Sequence, residues 1–147
     1  MSDPVLTARA CRWVAIPGVT DARGSVNFLE LGKGLDFAVK RAFWLHHIAP
    51  GQWRGRHGHR EMELVLVAVA GGCRVHLDDG KVKEAVPLDD PAKGLHIAPW
   101  VWHELTDFAP ASVILVLCSD LYDEKEYLRD YAEFTKLVAA RGTRGAA

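Results

Sequence analysis

Residues 51–72, GQWRGRHGHREMELVLVAVAGG, decide the fold that we expect for this chain. His57 and His59 stand two residues apart among three arginines, and a long apolar run follows them. Side chains two residues apart on an extended strand point to the same face. The polar side chains expected on one face are His57, His59, Glu61 and Glu63. The apolar side chains expected on the opposite face are Met62, Leu64 and Leu66. The stretch therefore predicts a strand that presents paired imidazoles and a carboxylate together.

The strand pattern extends on both sides of this stretch. Short apolar runs separated by glycine and proline fill the chain from about residue 13 to residue 118, which is typical of an all-β sandwich or barrel. Asp79-Gly80 predicts a hairpin turn between two of these runs. Near the C-terminus the spacing changes to that of a helix, and Asp123 followed by Glu126 resembles a capping box. We therefore expect one helix, from about 123 to 140, packed on the barrel.

The size and charge of the chain limit its partners. A length of 147 residues suits a single domain, expected to span 1–147 with its core at about 11–138. The net charge of −1 gives no electrostatic reason to expect nucleic acid or an acidic membrane as a partner. No apolar run approaches the length of a membrane span, and the N-terminus lacks the pattern of a signal peptide. Cys11, Cys73 and Cys118 are widely spaced and odd in number, so we expect reduced thiols in a cytoplasmic protein.

The spacing HxHxxxE, with Gly51 before it and Gly71 after it, resembles the first motif of the cupin superfamily. The second cupin motif ends in a proline turn and a histidine, and PWVWHEL places His103 there. By this resemblance the residues that would converge inside the barrel are His57, His59, Glu63 and His103. Three imidazoles and a carboxylate suit iron, manganese or nickel, so a metal-dependent enzyme is one hypothesis. The histidines without such company are interpreted as surface or structural residues, namely His46, His47, His76 and His96.

A closer resemblance covers roughly residues 11 to 135. DARGSVNFLE, FAVKRAFWL, RGRHGHREMELVLVAVAGGCRVHLDDG and GLHIAPWVWHELTDFAPASVILVLCSDLYDEKEYLRDY together are similar to the sugar 3,4-ketoisomerases. These WxcM-like cupin proteins act on thymidine-diphosphate-linked 4-keto-6-deoxyglucose. The resemblance implies an RmlC-like jelly-roll β-barrel, a homodimer with N-terminal strand exchange, and isomerisation of the 4-keto sugar to its 3-keto isomer without a metal or other cofactor. The family's paired histidines fall on His57 and His59, which become the candidate catalytic residues.

These residue types suit the implied reaction. Moving the carbonyl from carbon 4 to carbon 3 requires removal of the carbon-3 proton and protonation of carbon 4, through an enediol. Histidine titrates near neutrality and can carry that proton, and arginines can hold a pyrophosphate. The tryptophans that could stack on thymine or the sugar are Trp44, Trp53, Trp100 and Trp102. The residues expected to bind the dTDP-4-keto-6-deoxyhexose are Arg41, Arg54, Glu63, Trp102 and His103.

The chain departs from this family's pattern at two places. The family usually carries HAHK and then glutamine, whereas Gly58, Arg60 and Glu63 stand at these positions here. The family's tyrosine pair after KR is replaced by Phe43 and Trp44. Glu63 restores the carboxylate of metal-binding cupins, and the missing tyrosines remove hydroxyls that could position or protonate the substrate. The metal-dependent cupin, a related sugar-nucleotide epimerase and a sugar-binding cupin without turnover therefore remain alternatives.

Overall fold

The structure is a computed structural model that describes residues 6, 8 and 11–145. The ends of the domain expected over 1–147 lie outside the described residues. The strands of the described part are β1 (Arg12–Ala15), β2 (Gly18–Asp21), β3 (Gly24–Asn27), β4 (Arg41–His46), β5 (Arg54–His59), β6 (Leu64–Ala70), β7 (Cys73–Asp78), β8 (Lys83–Leu88), β9 (Lys93–Ile97), β10 (Trp102–Thr106), β11 (Val113–Cys118) and β12 (Tyr127–Leu128). A 3₁₀ helix at Glu124–Glu126 precedes β12, and the helix α1 (Tyr131–Gly145) follows it.

Ten of these strands form two antiparallel sheets that face each other. The first sheet has the order β1-β9-β6-β11-β4, and the second has the order β12-β5-β10-β7-β8. The chain passes between the two sheets several times, as in a jelly roll, and the expected all-β jelly roll with a C-terminal helix is confirmed. The two sheets form a sandwich and do not close into a barrel. The remaining strands, β2 and β3, pair with each other as a separate hairpin.

The interior between the sheets is apolar. The first sheet contributes Leu64, Leu66, Leu95, Ile97, Ile114 and Val116, and the second contributes Val75, Leu77, Val86, Leu88 and Leu105. Leu64 and Leu66 therefore face the same interior as the histidines of β5, and the expectation that they lie on an opposite face is wrong. The reason is that β5 and β6 belong to different sheets, so residues 60–63 turn the chain between them.

Helix α1 packs on the outer side of the second sheet. Phe134 is fully buried, and an ideal Cβ placed on Gly58 would approach its ring to 3.0 Å. The turn expected at Asp79-Gly80 is present between β7 and β8, and Gly80 adopts a φ of 91°. A Cβ on Gly80 would also lie 2.8 Å from Val138 of α1, so glycine suits both the turn and the helix contact.

The helix begins at Tyr131, so the start expected at 123 is wrong. Asp123 does cap a helix, because its carboxylate accepts a hydrogen bond from the Lys125 backbone N–H at 3.0 Å, but that helix is the short 3₁₀ turn. Tyr127 and Leu128 then pair with β5, which holds the chain extended. The carboxylate of Asp130 accepts from the Glu133 backbone N–H at 2.9 Å and caps α1. None of the helices in the described part of the chain is long and apolar enough to span a membrane.

Candidate active site

Three histidines meet inside the sandwich on adjacent strands of the second sheet. His57 on β5 lies directly opposite His103 on β10, and their ring centroids are 4.6 Å apart. The rings of His57 and His59 are 4.9 Å apart, and those of His59 and His103 are 5.7 Å apart. The sequence therefore predicted correctly that these three side chains converge.

The histidines line a cavity between the two sheets. Its apolar wall is formed by Phe43, Leu45, Leu64, Leu66, Leu105 and Val116. Its polar lining consists of His57, His59 and His103, together with Arg54 and Tyr127. A polar group of a ligand placed in this cavity would meet the imidazoles on one side and hydrocarbon on the other. Such a cavity, apolar with a few converging polar groups, is typical of a small-molecule site.

Burial keeps these imidazoles neutral. It is the largest cause that lowers the pKa of each of His57, His59 and His103, from 6.5 to about 3. Repulsion between neighbouring imidazolium charges lowers these pKa values further. Near pH 7 the rings are therefore uncharged, and each has one unprotonated nitrogen. His59 is only 3% exposed, and its Nδ1 has no hydrogen-bond partner among the residues that the structure describes.

An open cleft continues from the cavity towards solvent. The two share Phe43, Arg54, Gly55, His57 and Tyr127. The cleft adds Gln52, Trp53, Arg56, Trp102, Arg129 and Tyr131. We call this surface the entrance cleft.

Arg54 and Trp102, both expected to bind substrate, lie on the entrance cleft. Trp102 packs edge-on against Tyr131 of α1, with ring centroids 5.2 Å apart. Two other arginines of the cleft are held by carboxylates, Arg56 by Glu104 at 3.1 Å and Arg129 by Glu124 at 2.6 Å. Arg54 has no carboxylate within ion-pair distance among the described residues, and it lies between the cleft and the cavity.

Arg41, the other expected arginine, lies against the site. One of its terminal nitrogens donates to the Tyr127 hydroxyl at 3.1 Å and approaches the Cys118 sulfur at 3.5 Å. Burial, the largest single influence, lowers the pKa of Arg41, but its contacts with Tyr127 and Cys118 together raise it above the usual value. The guanidinium therefore keeps its charge beside the tyrosine.

Glu63 does not join the histidines. Its Oε1 lies 2.9 Å from Nε2 of His96, and the four-ligand metal site expected with Glu63 is not assembled. β5 ends at His59, and the turn after it is fixed by the Glu126 carboxylate, which accepts hydrogen bonds from the backbone N–H groups of Glu61 and Met62. Glu63 would share a face with His57 and His59 only on one continuous strand, and β5 ends before Glu63. His57, His59 and His103 alone keep their ligand nitrogens within 4.8 Å of one another, so a three-histidine metal site remains an alternative.

Tyr127 was missed as a site residue. β12 pairs with β5 so that Tyr127 lies opposite His59, and its ring centroid is 4.6 Å from that of His59 and 4.9 Å from that of His57. The helix expected from about 123 to 140 includes Tyr127, so the sequence pattern places this residue on a helix and away from the histidines. The signal for Tyr127 is its place in the segment YDEKEYLRDY, which belongs to the resemblance to the ketoisomerases.

Known proteins resemble this chain over nearly its whole length. The family model FdtA, described as WxcM-like, C-terminal, matches residues 9–139. A TDP-4-oxo-6-deoxy-alpha-D-glucose-3,4-oxoisomerase of Aneurinibacillus thermoaerophilus is 43% identical over 121 residues, which cover 82% of this chain and 87% of the relative.

Solved structures agree with this assignment. A 3,4-ketoisomerase from Helicobacter canadensis has a TM-score of 0.84 and 36% identity, and the match covers 88% of this chain and 98% of that one. A histidine-to-asparagine variant of the 3,4-ketoisomerase QdtA from Thermoanaerobacterium thermosaccharolyticum, in complex with TDP-4-keto-6-deoxyglucose, has a TM-score of 0.89 and 27% identity, with 92% and 98% of the chains covered. The chain therefore belongs to the FdtA family of WxcM-like proteins.

Proposed function

We propose that this chain is a metal-independent isomerase that converts a thymidine-diphosphate-linked 4-keto-6-deoxyglucose into its 3-keto isomer. The observation that carries the proposal is the pair of neutral, buried imidazoles, His57 and His59, on the wall of a cavity that Tyr127 and Arg54 also line. The relatives support it, because they are named as 3,4-ketoisomerases of TDP-linked sugars.

His57 is our candidate for the group that moves the carbon-bound proton. It lines both the cavity and the entrance cleft, whereas His59 is almost fully buried beside it. A neutral His57 removes the proton from carbon 3, and the resulting imidazolium returns a proton to carbon 4 of the enediol. His59 and His103 surround this ring and hold its orientation. No external oxidant or reductant is required, because the two carbons exchange oxidation states within one molecule.

The nucleotide end of the substrate fits the entrance cleft. Arg54 is the arginine of the cleft without a carboxylate partner among the described residues, so it is available to the pyrophosphate. Trp53 and Trp102 offer aromatic surfaces there for thymine or the sugar. Arg41 is directed at Tyr127 instead, so we assign it to the reacting end of the substrate.

We further propose that the protein acts as a cytoplasmic homodimer. The hairpin of β2 and β3 is exposed, and its Val19 and Val26 are 64% and 65% accessible. The outer face of the first sheet adds an apolar groove that includes Phe28 and Leu31. A second copy that covers the hairpin and groove would bury this surface.

The three cysteines are free and buried, which suits a reducing compartment such as the cytoplasm.

Turnover by chelator-treated protein tests the proposed function. The protein is purified without added metal, its metal content is measured, and TDP-4-keto-6-deoxyglucose is followed by NMR. We expect chelator-treated protein to form the 3-keto isomer at the rate of untreated protein, with far less than one metal ion per chain. Activity that disappears with the chelator and returns with iron, manganese or nickel would favour the three-histidine metal enzyme instead. Tight TDP binding without conversion would favour a sugar-binding protein, and inversion at a ring carbon without carbonyl migration would favour an epimerase.

A further inference from the structure

We infer that Tyr127 is a further catalytic residue, whose hydroxyl carries the oxygen-bound proton while a histidine carries the carbon-bound one. The inference rests on the proposed isomerase function and assigns the second half of its proton transfer.

The reaction requires a group that carries the oxygen-bound proton, and the hydroxyl of Tyr127 can do so. Isomerisation moves two protons, one between carbon 3 and carbon 4 and another between the two oxygens on those carbons. Among the described side chains that line the cavity, Tyr127 alone bears a hydroxyl, since the facing wall carries Phe43 and Leu45. Three of the remaining polar groups are the histidines, and Arg54 lies towards the cleft. His57 is assigned to the carbon-bound proton, and His59 and His103 to the orientation of its ring, so Tyr127 is the group left to carry the oxygen-bound proton.

Backbone pairing fixes the tyrosine on the correct face. Tyr127 and His59 are directly opposite each other in the antiparallel pair of β12 and β5. Residues that face each other in this way place their side chains on the same side of a sheet. The Tyr127 ring contacts the rings of both His57 and His59, and all three residues line the same cavity.

Arg41 orients the Tyr127 hydroxyl by donating a hydrogen bond to its oxygen. Its guanidinium reaches across from β4 of the first sheet and donates a hydrogen bond to the Tyr127 oxygen. Because the oxygen accepts from Arg41, its own proton is free to be donated to a substrate oxygen in the cavity. Among the described residues no carboxylate lies within ion-pair distance of Arg41, so its charge remains available to an oxygen that becomes negative during the reaction.

The step balances without a further reactant. As His57 takes the proton from carbon 3, the carbon-4 carbonyl oxygen takes the phenolic proton of Tyr127, and the enediol forms. The tyrosine oxygen, stabilised by Arg41, then removes the proton of the carbon-3 hydroxyl while the imidazolium protonates carbon 4. The 3-keto product leaves, and both residues have recovered their original protonation states.

The test is Tyr127→Phe, which removes the hydroxyl and keeps the ring against the histidines. We expect kcat for TDP-4-keto-6-deoxyglucose to fall roughly 100- to 1000-fold, as for the loss of one proton donor or oxyanion donor. The affinity for TDP, measured by calorimetry, and the melting temperature should stay close to wild type.

Tyr122→Phe is the matched control. The Arg41 guanidinium also lies over the Tyr122 ring, and the ring centroids of Tyr122 and Tyr127 are 5.5 Å apart. Tyr122 is exposed, however, and its hydroxyl donates to the Glu124 carboxylate outside the cavity. This variant should retain the wild-type kcat. If the wild type is active and kcat of Tyr127→Phe lies within about threefold of the wild-type value, the role of Tyr127 is overturned and the proposed function is not. An inactive wild type that still binds TDP would overturn the proposed function, and the role of Tyr127 with it.

Discussion

Acid should destabilise this fold through the three histidines of the cavity. Their pKa values are lowered to about 3 in the folded chain, against 6.5 for an ordinary histidine. Between these pH values the unfolded chain binds protons that the folded chain does not, so the free energy of unfolding falls as the pH decreases below 6.5. Each histidine contributes a slope of about 1.4 kcal/mol per pH unit, or about 2 kcal/mol between pH 6.5 and pH 5.

The variant that tests this slope is His103→Asn. The free energy of unfolding is measured by urea denaturation at pH 8, 7, 6 and 5 for wild type and variant. The substitution changes the absolute stability at every pH, but the loss between pH 8 and pH 5 should be smaller in the variant by about 2 kcal/mol. His47→Asn is the control, because His47 is exposed and its φ of 54° suits asparagine. Equal losses in wild type and His103→Asn would show that burial does not hold His103 neutral in the folded chain.

The remaining predictions concern three parts of the chain. Glu63→Gln should keep conversion within about twofold of wild type, because Glu63 contacts His96 and not the cluster; a tenfold loss of kcat would contradict that placement. Arg54→Lys should weaken TDP binding about tenfold in calorimetry, since lysine cannot bind a diphosphate bidentately, and unchanged affinity would place the pyrophosphate elsewhere. Phe134→Ala should lower the free energy of unfolding by about 3 to 5 kcal/mol, because the ring is fully buried against Gly58; a loss below about 1 kcal/mol would show that α1 contributes little to the fold.

Local sequence patterns predicted much of the fold and the centre of the site. The spacing of His57 and His59 requires only one extended strand, and that strand is present. The proline-turn motif placed His103 on a neighbouring strand, where pairing brings it opposite His57. These features depend on residues close in sequence, so they can be read from the chain directly.

The errors arose where distant residues decide the local structure. The turn that separates Glu63 from the histidines is held by Glu126, which lies more than sixty residues further along the chain. The extended conformation of Tyr127 comes from pairing with the edge of β5, although the apolar spacing around it is equally typical of a helix. Both Asp123 and Asp130 cap a helix, and only the strand between them shows which cap begins α1.

In the proposed mechanism His57 transfers the carbon-bound proton in a metal-free site. The most direct measurement is NMR of TDP-4-keto-6-deoxyglucose in deuterated water with chelator-treated wild type and His57→Asn. With wild type we expect loss of hydrogen from carbon 3 and formation of the 3-keto product, with deuterium at carbon 4 only to the extent that the imidazolium exchanges with solvent before it protonates that carbon. Neither loss of the carbon-3 hydrogen nor product formation is expected with the variant, which should still bind TDP. Conversion at the wild-type rate by a folded His57→Asn variant would contradict the assignment of His57.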